Sequence, residues 1–204
     1  MKRPAWAIVP AKSLQHAKSR LRPVLGDEER AIFARRLLEH MLDVLDVCSL
    51  DGVLVAAGDD DVASLAVSRG AHVLRDRGEG SLADVVDRAL AQVGSRGAAT
   101  AVVLMADLPL IEADDVAGLF AVLVDHDIVI VADHRGHHTN ALGLAPPSAM
   151  ATSFGRSDSF AAHRASARVA GLRATVVESR RIAFDVDTPV DHERLKTPSP
   201  PAET

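Results

Sequence analysis

The feature that most constrains the fold is an alternation of short apolar runs with longer amphipathic stretches. Nearly continuous apolar runs occupy residues 5–10, 52–57, 71–74, 101–106 and 127–132. Strands have this composition when helices cover both faces of a parallel sheet. Apolar residues recur every three or four positions in the stretches between them, 28–47, 59–69, 82–93 and 114–124. The alternation predicts an α/β fold with a doubly wound, mostly parallel sheet.

The last third of the chain is less regular. Its pattern predicts strands over residues 139–145, 173–178 and 181–187 and a helix over residues 157–169. We expect a single domain over residues 1–195. Residues 196–204 contain several prolines and almost no apolar side chains, which predicts a disordered tail.

Composition and charge exclude several classes of protein. The chain has 204 residues with 23 basic and 28 acidic side chains, for a net charge of −5. A surface of that sign does not attract nucleic acid, and 3% aromatic residues provide few rings for stacking bases. No run approaches the ~20 apolar residues of a membrane span. Cys48 is the only cysteine, so we expect a cytoplasmic protein without a disulfide, a nucleic-acid partner or a membrane partner.

Basic and hydroxyl side chains crowd the segment after the first predicted strand. They are Lys12, Ser13, Lys18, Ser19, Arg20 and Arg22. In doubly wound sheets, ligands bind beyond the carboxyl ends of the strands, so this loop is a candidate site for nucleotide phosphates. It contains neither GxxxxGK[ST] nor GxGxxG. The alternative interpretation is a solvated basic loop.

Three aspartates are candidates for a metal site. Asp107 follows the apolar run 101–106, and Asp185 and Asp187 alternate in a predicted strand and so project on one face. Clustered carboxylates repel one another unless a metal or a shared proton intervenes, and Mg²⁺ bridging substrate phosphates would suit them. The alternatives are a turn residue for Asp107 and a helix cap before Pro189 for Asp187. With the basic loop, the three acids predict phosphoryl or nucleotidyl transfer.

Other polar residues carry weaker signals. His134, His137 and His138 could suggest zinc, but no cysteine or second histidine pair accompanies them. We therefore expect a loop with exposed histidines. Cys48 and Trp6 are expected to be core residues.

Several motifs, in their order along the chain, resemble the 2-phospho-L-lactate guanylyltransferase family. They are KSRL at 18–21, DLPL at 107–110, TNAL at 139–142, FG at 154–155, SF at 159–160 and DVDTP at 185–189. The resemblance spans almost the whole chain except the tail. It implies a GT-A-like nucleotidyltransferase fold and a step of coenzyme F420 biosynthesis. In that step, GMP from GTP is joined to 2-phospho-L-lactate, phosphoenolpyruvate or 3-phospho-D-glycerate, and pyrophosphate is released.

The resemblance also implies roles for individual residues. Asp107, Asp185 and Asp187 would hold Mg²⁺ and, with Lys18, form the catalytic group. The GTP phosphates would be bound by the basic loop, with residues Lys12, Ser13, Lys18, Ser19 and Arg20. The phospho-acid would be bound by Thr139, Asn140, Gly155 and Ser159. Ser159 is chosen because it precedes Phe160, and Ser157 is the alternative because this loop has one residue more than the family pattern FGxxSF.

Two other functions stay open. The fold also suits a molybdopterin or sugar-phosphate nucleotidyltransferase, although the GGxSxRMGxxK loop of those enzymes is absent. The Gly-Leu-Asn element that helps the family place its nucleotide reads Gly-Ser-Leu-Ala-Asp here, at residues 80–84. A non-catalytic nucleotide-binding domain would bind GTP without turnover. A homodimer is kept as a candidate assembly.

Overall fold

The computed structural model describes residues 3–76, 78 and 80–196. Within these residues the sheet is built from β1 (Ala5–Ala11), β2 (Gly52–Ala57), β3 (His72–Arg75), β4 (Thr100–Leu104), β5 (Ile128–Ala132), β6 (Thr139–Leu144) and β7 (Ala174–Val176). The helices are α1 (Asp27–Asp46), α2 (Asp60–Ser68), α3 (Leu82–Ser95), α4 (Ala113–Val122), α5 (Ser159–Val169), α6 (Arg180–Ala183) and α7 (Pro189–Lys196). A short 3-10 turn occupies Ser19–Leu21.

The strands form one sheet in the order β3-β2-β1-β4-β6-β5-β7. Strands β1, β2, β3 and β4 run parallel, as do β5 and β7, whereas β6 is antiparallel to both β4 and β5. The predicted α/β fold with a mostly parallel sheet is therefore confirmed. Because β6 runs backwards, its first residues lie beside the carboxyl end of β4, where Leu104 pairs with Ala141. The loops after β1 and β4 and the start of β6 thus meet at one edge of the sheet.

Helices cover both faces of the sheet, which explains the continuous apolar runs. Side chains of α1, α2 and α4 pack with Val9 of β1 on one face. Side chains of α3 and α5 pack with Ile8 on the other. Consecutive strand residues point to opposite faces, so neither position can be polar without burying an unpaired group. Trp6 is buried, as predicted, and stacks on His72 with ring centroids 5.2 Å apart, whereas Cys48 is only partly buried.

The predicted strand over residues 181–187 is wrong. Residues Arg180–Ala183 form the single helical turn α6, and residues 184–188 have no regular structure. Ser179 Oγ caps the turn by accepting a hydrogen bond from the amide of Ile182 at 3.2 Å. Asn140 Nδ2 donates to the carbonyls of Ile182 and Ala183 at 2.9 and 3.2 Å. A buried side chain therefore satisfies backbone groups that a neighbouring strand would otherwise pair.

Regular structure continues to Lys196, the last residue of α7. The rest of the predicted tail, residues 197–204, lies outside the described residues. Among the helices that the structure describes, none is long and apolar enough to span a bilayer.

Candidate active site

Three carboxylates meet at the carboxyl edge of the sheet. Asp107 lies in the turn after β4, and Asp185 and Asp187 lie in the irregular segment before α7. One oxygen from each lies within 4.8 Å of the others, close enough for a single cation to contact all three. In the described part of the chain, this is the one acidic or histidine cluster with metal-binding geometry. The sequence-based prediction placed the same three residues together, although a strand does not align them.

Lys18 extends into this cluster from the basic loop. Its Nζ donates to Asp107 Oδ2 at 2.5 Å and to Asp187 Oδ1 at 3.1 Å. Arg20 adds a contact to Asp187 Oδ2 at 3.4 Å. Burial alone would lower the pKa of Lys18, but the charges and hydrogen bonds of Asp107 and Asp187 outweigh it and raise that pKa. The buried ammonium therefore stays charged and balances part of the acidic cluster.

The backbone of Lys18 is unusual as well. Its φ of 54° and ψ of 38° place it in the left-handed region, and it is the one non-glycine residue with positive φ among those described. Residues other than glycine rarely adopt this backbone conformation, because it costs of order 1 kcal/mol or more. Arg30, buried in α1, donates from Nη1 to the carbonyl of Ala17 at 3.0 Å and fixes the preceding peptide. From this backbone conformation the Lys18 ammonium reaches two of the carboxylates.

Asp185 is the most buried of the three acids, with 8% of its surface exposed. Burial raises the pKa of Asp185, and the negative charges of Asp107 and Asp187 raise it further. A hydrogen bond from Asn140 Nδ2 to its Oδ1, at 3.4 Å, acts in the opposite direction. Three crowded carboxylates with oxygen ligands only are the donor set that hard divalent cations prefer. The residues present therefore fit Mg²⁺ or Mn²⁺.

A cavity of about 290 Å³ opens beside the acidic cluster. Its lining includes Lys12, Lys18, Leu82, Asp107 and Asp187. One end is thus charged, and the rest is formed by apolar residues of β1, α1 and the turn after β4. A pocket with a charged end and an apolar body suits a nucleotide, whose base and triphosphate differ in the same way.

Contacts with Gly58 and Asp59, which follow β2, hold the basic loop in place. Asp59 accepts a hydrogen bond from the amide of Leu14 through Oδ2 at 3.1 Å, and from the amide of Val62 through Oδ1 at 2.8 Å. One carboxylate therefore both caps α2 and anchors the loop. A side chain on Gly58 would lie 2.8 Å from the amide nitrogen of Ser13, so only glycine permits this close approach. The sequence pattern predicts a helical stretch that begins at residue 59, but it does not predict the contact of Asp59 with the loop.

Ser13, Ser19 and Lys12 do not touch the acidic cluster. Ser13 Oγ is 3.2 Å from Nδ1 of His16. Lys12 and Ser19 are exposed, and Lys12 lines the cavity. Of the predicted phosphate-binding residues, the structure thus brings Lys18 and Arg20 to the carboxylates and leaves the others around the cavity and along the loop.

The predicted acceptor residues lie near the cluster on a buried network. Thr139 and Ser159 are each 2% exposed, and the amide of Thr139 donates to Ser159 Oγ at 3.0 Å. Asn140, 4% exposed, reaches Asp185 as described above. Gly155 lies on an exposed turn with φ of 86°, where a Cβ would come within 3.2 Å of Leu82 of the cavity. Asn140 thus contacts one of the carboxylates and Gly155 lies beside a residue of the cavity wall, whereas Thr139 and Ser159 are held in a buried hydrogen-bonded network with His163.

Sequence reasoning gave no role to His163, which organises this network. Its Nε2 accepts from the amide of Ser153 at 2.8 Å, so Nδ1 carries the proton and donates to Thr139 Oγ1 at 2.9 Å. The Thr139 hydroxyl keeps its own proton free to donate elsewhere. Burial lowers the pKa of His163 to about 4.

We expect His163 to make stability fall on acidification. The unfolded histidine binds a proton near pH 6.5 and the folded one only near pH 4, so the free energy of unfolding drops by ~1.4 kcal/mol per pH unit between those values. The total loss is about 3 kcal/mol. Urea unfolding at pH 7, 6, 5 and 4 measures it. A His163→Asn protein should lose most of this pH dependence, and His137→Gln, which changes an exposed imidazole, should keep the wild-type slope. Equal slopes in wild type and His163→Asn would contradict this prediction.

The three histidines of the β5–β6 turn differ from one another. His137 is exposed and His138 is partly exposed, and His138 Nδ1 lies 3.3 Å from the carbonyl of Arg156. His134 is exposed as a residue, in line with the expectation, but its side chain is 22% exposed and its Nδ1 lies 3.3 Å from Asp185 Oδ1. The acidic cluster itself contains no histidine.

Comparison with known sequences places these residues in a family. The sequence model described as "Guanylyl transferase CofC like" matches residues 5–196. A phosphoenolpyruvate guanylyltransferase of Sphaerobacter thermophilus is 38% identical over 195 residues, covering 95% of this chain and 93% of that protein. A 2-phospho-L-lactate guanylyltransferase of Methanothermobacter thermautotrophicus is 35% identical, covering 91% and 81%. A 3-phospho-D-glycerate guanylyltransferase of Phenylobacterium zucineum is 32% identical, covering 92% and 87%.

Solved structures share the fold at lower sequence identity. A chain from Desulfovibrio desulfuricans described as a nucleotide-diphospho-sugar transferase superposes with a TM-score of 0.79 at 20% identity, covering 94% of this chain and 85% of that one. A CMP:2-keto-3-deoxy-manno-octonic acid synthetase solved with CTP gives 0.64 at 16%, covering 95% and 97%. A Mycobacterium tuberculosis protein solved with manganese gives 0.61 at 19%, covering 95% and 98%. These likenesses show a nucleotidyltransferase-type fold.

Proposed function

The chain belongs to the CofC-like guanylyl transferase family, and on that basis we propose that it joins GMP from GTP to a phosphorylated three-carbon acid and releases pyrophosphate. The observation that carries the proposal is the convergence of Asp107, Asp185 and Asp187 with Lys18 at the charged end of the cavity. Two anionic reactants must meet in this reaction, so catalysis depends on neutralising and aligning them.

The bond changes follow from the substrates. A phosphate oxygen of the acceptor attacks the α-phosphorus of GTP, a new phosphoanhydride bond forms, and the bond to the β-phosphate oxygen breaks. Pyrophosphate leaves with the electron pair of that bond. The attacking oxygen is already ionised at neutral pH, so no general base among the side chains is required.

The chain's own residues divide the work of binding. Asp107, Asp185 and Asp187 would hold Mg²⁺, which when bound supplies positive charge to the reacting phosphates. Lys18 and Arg20 would bind phosphate oxygens of GTP. Lys12, Ser13 and Ser19 would extend that binding along the loop, since they border the cavity or follow it in the chain.

Acceptor binding would use the network around His163. Thr139 and Ser159 each accept one internal hydrogen bond, from His163 and from the amide of Thr139. Their hydroxyl protons therefore remain available for the carboxylate or phosphate of the acid. Gly155 would add its backbone amide, since it lies close to Leu82, which lines the cavity. Asn140 would act through Asp185, which it contacts at 3.4 Å.

Phosphoenolpyruvate is the acceptor that we propose first. Four relatives that are 34–38% identical bear the name phosphoenolpyruvate guanylyltransferase. A homodimer and a place in the cytoplasm remain predictions.

Pyrophosphate release tests the proposal directly. We expect the protein with GTP and Mg²⁺ to release pyrophosphate when phosphoenolpyruvate, 2-phospho-L-lactate or 3-phospho-D-glycerate is added, with product masses identifying the acid joined to GMP. Controls are GTP alone and CTP in place of GTP, the latter testing a cytidylyltransferase. GTP binding without release for any acid would favour a non-catalytic nucleotide-binding domain and overturn the proposed function.

A further inference from the structure

The turn between β5 and β6 reaches across the segment that carries two of the three acids. The amide of His134 donates to the carbonyl of Ala183 at 2.7 Å. Its ring Nδ1 lies 3.3 Å from Asp185 Oδ1, and its Nε2 lies 3.4 Å from Asp191 Oδ1. The imidazole thus stands between an acid of the cluster and an acid outside it.

Asp191 is fully buried on α7 and collects donors from both segments. Its Oδ2 accepts from Arg135 Nη2 at 2.9 Å and from the amide and hydroxyl of Thr188 at 2.9 and 2.7 Å. The amide of Asp187 approaches the same oxygen at 3.3 Å. Asp191 Oδ1 has no well-formed hydrogen bond among the described residues, and the ring of His134 is the ionisable group at ion-pair distance from it.

We propose that His134 is a positioning residue that couples Asp185 to Asp191 and so sets the spacing of the cation-binding carboxylates. Asp185 and Asp187 lie in a segment without helix or strand, so no ladder of backbone hydrogen bonds fixes them. The amide of Asp187 contacts Asp191 directly, and the ring of His134 lies 3.3 Å from Asp185 Oδ1 and at an ion-pair distance of 3.4 Å from Asp191 Oδ1. Both proposed metal ligands, Asp185 and Asp187, are therefore positioned relative to the same buried carboxylate, Asp191. This inference rests on the proposed metal site.

Hydrogen bonds to a ligating carboxylate orient it, and losing one typically weakens metal affinity about 10- to 100-fold. The contact to Asp185 uses Nδ1, whose place the amide nitrogen of asparagine can take. The contact to Asp191 uses Nε2, whose place the longer glutamine can take. The two replacements therefore separate the two contacts of the ring.

The test is titration of the full chain with Mn²⁺ alone, followed by calorimetry or by the electron paramagnetic resonance of free Mn²⁺. We expect His134→Ala to bind Mn²⁺ about 10- to 100-fold more weakly than wild type. Because each keeps only one of the two contacts of the ring, His134→Asn and His134→Gln should each recover only part of that loss, and full recovery by His134→Asn would show that the Asp185 contact alone is sufficient and would overturn the coupling. His137→Asn, a change in the same turn, should match wild type. Melting temperatures without metal report whether each variant is folded.

The possible results are distinguishable. Wild-type affinity in folded His134→Ala overturns this inference and leaves the proposed function standing. Equal weakening in the Ala and Asn variants, with equal loss of melting temperature, assigns His134 a merely structural role and also overturns it. A wild-type protein that binds no Mn²⁺ overturns the proposed metal site and this inference with it.

Discussion

An Asp185→Asn protein is expected to fold normally and to lose about 100- to 1,000-fold in turnover. Asparagine keeps the shape of the side chain but offers a neutral oxygen in place of a carboxylate. Divalent cations supply several kcal/mol of transition-state stabilisation in reactions of this class, and each ~1.4 kcal/mol is a factor of ten in rate. Losing roughly half of that stabilisation accounts for the expected range. Pyrophosphate release at saturating GTP and acid measures it.

The same substitution should not destabilise the protein when no divalent cation is present. Asp185 is buried beside two other carboxylates, and its raised pKa shows that its charged form is disfavoured there. A neutral side chain removes that repulsion and keeps a polar group facing Asn140. We therefore expect an unchanged or higher melting temperature in EDTA.

A matched control is Asp125→Asn, the same chemical change on an exposed residue after α4. It should alter neither turnover nor melting temperature by a measurable amount. If Asp185→Asn keeps turnover within tenfold of wild type, Asp185 does not hold the cation. If it instead melts well below wild type in EDTA, the carboxylate has a structural role that its crowded surroundings do not reveal.

The sheet could be predicted because each strand is buried on both faces. Ile8 and Val9 belong to separate core clusters on opposite faces of the sheet. The continuous apolar run of β1 therefore predicts that helices cover both faces. The place of Asp107 beside the basic loop was also predictable, since loops at the carboxyl ends of parallel strands share an edge, whereas Asp185 and Asp187 follow the helical turn α6 and not a strand.

The segment around Asp185 and Asp187 could not be predicted from its own sequence. Alternating acidic and apolar residues indicate a strand, but no neighbouring strand is available there. Instead, Asn140 pairs with the carbonyls of Ile182 and Ala183, and the partners lie more than 40 positions apart. The contacts of His134 are equally distant in sequence. Local periodicity contains no information about such pairs.

The contacts of Lys18 could not be predicted from the sequence either. The cluster of cations after β1 indicated phosphate binding. Because no basic residue lies near Asp107 in the sequence, nothing there indicated which group would balance its charge. In the structure, Lys18 is that counter-ion from 89 residues away. Its positive φ, which directs the side chain, is not visible in a KSRL motif because the motif contains no glycine.

Replacing Lys18 with methionine is expected to change turnover and cation affinity in opposite directions. Turnover should fall about 100-fold or more, because a charge that binds the reacting phosphates is lost. Mn²⁺ binding without nucleotide should tighten by about tenfold. The ammonium lies 2.5 and 3.1 Å from two of the three carboxylates, so it competes with a divalent cation for the same oxygens.

The expected tightening of Mn²⁺ binding in Lys18→Met follows from electrostatics. Unit charges about 4 Å apart interact by ~4 kcal/mol at an effective dielectric constant near 20. Removing the ammonium therefore leaves a more negative site, and a tenfold tightening uses about 1.4 kcal/mol of that interaction. Methionine keeps the length of the aliphatic stem and, like lysine, has a Cβ, so the strained backbone is unchanged in kind.

Titration with Mn²⁺ and melting in EDTA separate two roles of the ammonium. If Lys18 only competes with the cation, Lys18→Met binds Mn²⁺ more tightly and gains more melting temperature from it than wild type does. Lys12→Met, which removes an exposed charge from the same loop, should leave Mn²⁺ affinity unchanged. If Lys18→Met instead binds Mn²⁺ more weakly, the ammonium holds the carboxylates in register for the cation. In that case the ion pairs of Lys18 hold the carboxylates in place for the cation, and the cation does not bind by displacing the Lys18 ammonium from them.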